Sequence, residues 1–133
     1  MISDFLIEKI KERFPNRPCS IGTWPDPIIS FPVANNEVGD LNIYDDGNEA
    51  RVEITKITHG HFGCYDEALN QTEKELDIAE TVVDFIEKIF AEKVVFFIFM
   101  KGRAGGWRPL EEGENHPRKP FTKYYYWSGP ITD

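Results

Sequence analysis

The chain has 133 residues, enough for one ordinary domain and too few for two that each bury a core. Hydrophobic residues at 41% and charged residues at 29% exclude a disordered chain. Against 15 Lys and Arg stand 23 Asp and Glu, a net charge of −8 that disfavours nucleic acid and anionic membrane as partners.

The first helix is expected over Asp4 to Phe14, capped by the Ser3 hydroxyl, because Leu6, Ile10 and Phe14 recur every four residues and Pro15 stops the run. Gly22, Pro25 and Pro27 then mark an irregular crossing. Ile29, Phe31 and Val33 alternate as a short strand, with Pro32 tolerable on an edge. Asp46-Gly47 suits a tight two-residue turn, so a hairpin is expected with Tyr44 opposite Glu49, Ile43 opposite Ala50 and Leu41 opposite Val52. A change of apolar parity predicts a bulge near Thr55-Lys56 before Gly60 and Gly63 end the strand.

Thr72 and Glu75 have capping-box spacing, which predicts a long helix over Glu73 to Phe90. Its apolar face is Leu76, Ala79, Val82, Val83, Ile86, Ile89 and Phe90. The apolar run from Val94 to Phe99 reads as a strand buried on both faces. Gly102 to Gly106 reads as a flexible loop, and Phe121 to Trp127 as a final aromatic strand that can supply a dimer edge. The whole is a single α+β domain over residues 1–133: a mostly antiparallel sheet of about five strands, one long amphipathic helix packed on it and a shorter N-terminal helix.

Asp4 lies where a secretory leader needs bases, and Val94 to Met100, the longest apolar run, is far shorter than a membrane span. A cytoplasmic protein is therefore expected, with Cys19 and Cys64 as free thiols.

His59 and His61 alternate on a strand and so share a face, and Cys64 follows closely enough to join them as a zinc ligand, with Asp66 or Glu67 as a further ligand or base. The competing reading is structural, with both imidazoles bonded to turn backbone and to nearby acids. No nucleophile elbow, P-loop or H-E-x-x-H motif is present, so an enzyme is not the favoured expectation. Arg103 and Arg108 flank Trp107 in a spacing that suits either a partner contact or an ordinary solvated loop.

Glu73, Asp77, Glu80, Asp84 and Glu87 step by four, three, four and three along the long helix, opposite its apolar face. Such a stripe is either the solvated side of an amphipathic helix or an electrostatic target for a basic protein partner.

The stretch Gly39-Asp40-Leu41-Asn42-Ile43-Tyr44-Asp45-Asp46-Gly47, with Ile57-Thr58-His59-Gly60-His61-Phe62, resembles a set of small acidic bacterial proteins of uncharacterised function, over roughly residues 38 to 90. The resemblance implies a bacterial origin and one domain, and no activity. In size, acidity and α+β make-up the chain is also similar to toxin-immunity proteins, and in element order to type III secretion chaperones, without a matched motif. The expected function is therefore an acidic protein-binding module, such as an immunity or inhibitor protein, that binds a basic protein through the helix stripe and needs no cofactor. The alternative is a small metal-binding protein or metal-dependent enzyme using zinc at His59, His61 and Cys64.

Overall fold

Ile2, Leu6 and Ile10 recur every four residues, and the helix they define, α1 (Ile2–Arg13), buries all three. The structure is a computed structural model that describes residues 1–101, 104–111 and 119–131. The helix starts ahead of the expected Asp4, and Ser3 is not its cap: Met1 stands at the N-cap position and no side chain there closes the first turn. Instead the carboxylate of Asp45, far along the chain, accepts the Ser3 N–H at 3.1 Å. A negative charge at a helix N-terminus is favourable wherever in the sequence it comes from.

A five-stranded antiparallel meander follows, formed by β1 (Ser20–Ile21), β2 (Ile29–Phe31), β3 (Leu41–Asp45), β4 (Glu49–Ile54) and β5 (Thr58–Gly63), side by side in chain order. β2 ends at Phe31, so Pro32 and Val33 lie beyond it. The β3–β4 hairpin forms, but in a different register from the one expected: Ile43 faces Val52, Tyr44 faces Arg51 and Leu41 faces Ile54. Gly47 (φ +95°) opens the turn, with Asp46 and Glu49 joined across it by an N–H to carbonyl bond of 2.9 Å. The register moves by two residues, which leaves every side chain on its expected face. The cause is Asp45, whose carboxylate also accepts the Gly47 N–H at 2.9 Å and so holds the turn one residue later. Residues 55–57 are a turn rather than a bulge, and β5 folds back along β4 through both of its histidines.

The long helix, α2 (Gln71–Phe90), starts earlier than expected. Its capping box belongs to Asn70 and Glu73, not to Thr72 and Glu75: the Asn70 side chain accepts the Glu73 N–H at 2.9 Å and the Glu73 carboxylate accepts the Asn70 N–H at 3.0 Å. Ile78 and Phe85 join the buried face, whereas Leu76 is 39% exposed. Both helices pack on one face of the meander, where Ile2, Leu6, Ile29, Leu41, Ile43, Val52, Val82 and Ile86 form a single core.

A second, four-stranded sheet comprises β6 (Val94–Phe99), β7 (Gly105–Pro109), β8 (Thr122–Tyr126) and β9 (Gly129–Pro130) in the order β7-β6-β8-β9. β6 is fully buried only over Val94 to Phe96, and Phe99 is 40% exposed. Gly105 and Gly106, read from sequence as loop, open β7; Gly102 and Arg103 lie outside the described residues. β8 lies between β6 and β9, so the aromatic run is internal rather than a dimer edge, and Tyr125 and Trp127 are buried. The two sheets meet where Gly105 passes the Ile57 carbonyl and where Trp107 packs on Phe85 (ring centroids 4.6 Å) and faces Phe62 (6.4 Å).

Candidate functional site

The five acids of the α2 stripe do share a face, but the stripe is not bare. α1 lies parallel to α2 and sends two cations across it. Lys9 Nζ reaches Glu80 at 2.6 Å, while the Arg13 guanidinium reaches Glu80 at 3.2 Å, Asp84 at 3.0 Å and Glu87 at 2.5 Å. Glu73 is engaged in its own helix cap. Asp77 alone of the five makes no hydrogen bond or ion pair among the described residues. Sequence spacing reveals a row of like charges; only the docked position of α1 reveals that the row is the receptor for the protein's own lysine and arginine.

These pairs shift the groups as their geometry requires. The hydrogen bond from Lys9, ahead of its coulombic attraction, holds the Glu80 carboxyl below the usual 4.5. The same bond raises Lys9, and the hydrogen bond to Asp84 is the main cause raising Arg13. A carboxyl lowered on folding stabilises the folded state above its unfolded value, and that contribution disappears as pH falls through the lowered value. Carboxylate titration by NMR should therefore show Glu80 returning toward its ordinary value in Lys9→Met, and acid should weaken α1 docking less in that variant than in the wild type. An unmoved Glu80 titration would sink this account.

His59 and His61 stand together, as their spacing predicts, with ring centroids 5.2 Å apart and planes at 89°. They lie on the face of β5 away from the helices, where His61 Nδ1 is 3.6 Å from the Glu49 carboxylate and His59 faces Glu53 in register. Cys64 is not beside them. It lies one residue past the end of β5, partly buried and packed against the core, whereas both imidazoles are on exposed positions of the strand. The expected set of His59, His61 and Cys64 is therefore not assembled, and no group of three His, Cys, Asp or Glu side chains placed to hold a metal occurs among the described residues. Both cysteines are free thiols. Trp107 is taken up by the contact between the sheets, and Arg103 lies outside the described residues.

Sequence reasoning passed over a cleft of about 630 Å3 between the start of α1, the β3–β4 turn and the irregular segment before β2. Ile7, Ile28, Trp24, Asp4, Asp45 and Asp46 are among its lining residues. Trp24 is 71% exposed, an unusual state for so large an apolar ring. Asp46 is paired with Arg51 at 3.1 Å, and the Met1 α-amino group lies 3.5 Å from Asp4 and 3.4 Å from Glu75. Asp45 differs: it is 8% exposed, both oxygens accept backbone N–H groups, and it has no cationic partner among the described residues. The only sequence signal for this site is a tryptophan set between Gly22 and two prolines.

Charge is segregated over the molecule. Residues 93–110 carry Lys93, Lys101, Arg103 and Arg108, residues 117–131 carry Arg118, Lys119 and Lys123, and neither segment holds an Asp or Glu. Glu111, Glu112 and Glu114 separate these two segments in sequence, and the residues lining the cleft come from the more acidic part of the chain, 1–90. No family model, curated protein or solved structure matches the chain. Among the described residues no helix is long and apolar enough to cross a membrane.

Proposed function

We propose that the protein is an acidic protein-binding module, of immunity or inhibitor type, that engages a basic partner protein in the cytoplasm. The observation that supports this reading is the uneven charge: residues 1–90, which supply the two helices and the five-stranded sheet, carry 18 of the 23 acids against 8 of the 15 Lys and Arg, whereas the strands of the second sheet carry Arg108 and Lys123 and no acid. A net excess of negative charge accelerates encounter with a partner of opposite sign and rejects acidic competitors. The contact belongs around the start of α1 rather than along α2, because Lys9 and Arg13 already neutralise much of the α2 stripe. Asp4, which lines the cleft, and Glu8 stand one helical turn apart on the exposed side of α1.

The test is capture of partners from host extract at low salt and at about 0.5 M salt, where charge attraction is screened within a few ångströms, followed by mass-spectrometric identification. A basic protein retained at low salt and lost at high salt is the expected result. Reversal of Asp4 and Glu8 to lysine should abolish capture while leaving the circular dichroism spectrum unchanged. Failure to retain any basic protein under either condition overturns the proposal.

A further inference from the structure

We infer that the Trp24 cleft is a receptor for a single arginine side chain of that basic partner. The inference rests on the partner reading above and supplies its residue-level contact.

Three features of the cleft converge on a cation carried by an apolar stem. Ile7 and Ile28 give it apolar lining, suited to the methylenes of a long side chain. Trp24 offers an exposed indole, the best aromatic surface for a cation. Asp45 contributes a buried carboxylate whose charge is met by the N–H groups of Ser3 and Gly47 but by no cation among the described residues. A carboxylate has about four lone-pair sites and two are in use, so a guanidinium N–H finds an acceptor there. The other charges lining the cleft are already answered, Asp46 by Arg51 and the α-amino group of Met1 by Asp4 and Glu75. The unanswered charge is therefore negative. An anionic ligand would meet the negative charge of Asp45, and two of the first-turn amides of α1 that would otherwise attract it are already bonded, that of Ser3 to Asp45 and that of Asp4 to the Met1 carbonyl. Arginine suits the site better than lysine because its planar head stacks on an indole while its edge donates to a carboxylate.

The experiment titrates the full chain with Nα-acetyl-arginine amide and, separately, with the citrulline analogue, which has nearly the same shape and no charge. The readouts are the chemical shifts of the Trp24 indole N–H and of the Ser3 and Gly47 amides. Arginine should give saturable shifts at all three with a dissociation constant in the millimolar range, about 1 mM corresponding to the small free energy that one side chain contributes. Citrulline should bind at least about tenfold more weakly, and Trp24→Ala should weaken the arginine probe by about tenfold, in keeping with the loss of one cation–π contact. Trp24 is exposed, so this variant keeps its fold. Equal binding of the two probes, or no saturable shift by about 50 mM, overturns the inference; that limit is well above the millimolar affinity expected of a single side chain. Failure of the two proposals is separable. If Trp24→Ala still captures a basic partner at full strength, the partner reading stands and the cleft receptor falls. If no partner is captured but the arginine probe binds selectively, the cleft receptor stands and the partner reading falls.

Discussion

Replacing Asp45 with Asn should lower the stability of the protein by about 2–3 kcal/mol, and Asp45→Ala should cost at least as much, as expected for losing charge-assisted hydrogen bonds inside a protein. The carboxylate joins two parts of the chain that sequence places far apart. One oxygen accepts the N–H of Ser3 in the first turn of α1, and the other accepts the N–H of Gly47 in the β3–β4 turn. An amide matches the shape but not the chemistry. Its oxygen can serve one donor, and its NH2 group then faces the other N–H, two donors with no acceptor between them. Asn is therefore no conservative substitute at this position, although it is isosteric and common in turns. Urea unfolding should show a lower midpoint with an unchanged slope, and the amide protons of Ser3 and Gly47 should exchange faster than those of the strand centres. A loss below about 0.5 kcal/mol, the ordinary range of surface substitutions, would show that neither bond matters to the fold.

The same residue explains why the hairpin was legible in the sequence and its register was not. Alternation of Leu41, Ile43, Ala50, Val52 and Ile54 is a local signal, and it assigns each side chain to its face correctly. The choice between neighbouring turn positions depends on the bond from Asp45 to Gly47 and on the anchoring of Asp45 to α1, which no local pattern carries. The α2 helix shows the same division. Its apolar period announces the helix, but Asn70 and Thr72 are both chemically able to cap it, each with a glutamate three residues on, and tertiary contact decides between them. Glu75 is drawn away to the Met1 amino group at 3.4 Å, which leaves the box to Asn70 and Glu73. The acidic stripe was visible as spacing, yet its partner is a helix about seventy residues earlier in sequence. The second sheet was half legible because glycines at the start of β7 erase the alternation that identifies a strand. The Trp24 cleft has walls from three separate segments and no periodic signature at all.

Gly105→Val should be severely damaging, with a loss of about 3 kcal/mol or more, because overpacking a site that cannot relax lies at the upper end of core-packing effects. A Cβ on Gly105 would stand 2.0 Å from the Ile57 carbonyl oxygen and 3.0 Å from its carbon. Both are backbone atoms. Ile57 lies in the turn between β4 and β5, and Gly105 pairs with Ile98 of β6, so neither can move away without parting the two sheets. The other glycines set the scale. At Gly106 the atoms a Cβ would meet belong to the Phe97 ring, with its tip 2.5 Å away, and a ring can swing aside. At Gly47 nothing lies within 4 Å and the cost is that of a left-handed backbone, φ +95°, about 1–2 kcal/mol for a residue with a side chain. Unfolding midpoints should therefore fall in the order Gly105→Val most, then Gly47→Ala. Parting the sheets should also expose Trp107, which packs on Phe85 at that junction, so Gly105→Val should shift tryptophan emission to the red in the native baseline. If Gly105→Val matches the wild type in both midpoint and emission, the backbones of β7 and of the β4–β5 turn are free to separate, and the core does not depend on the join between the sheets.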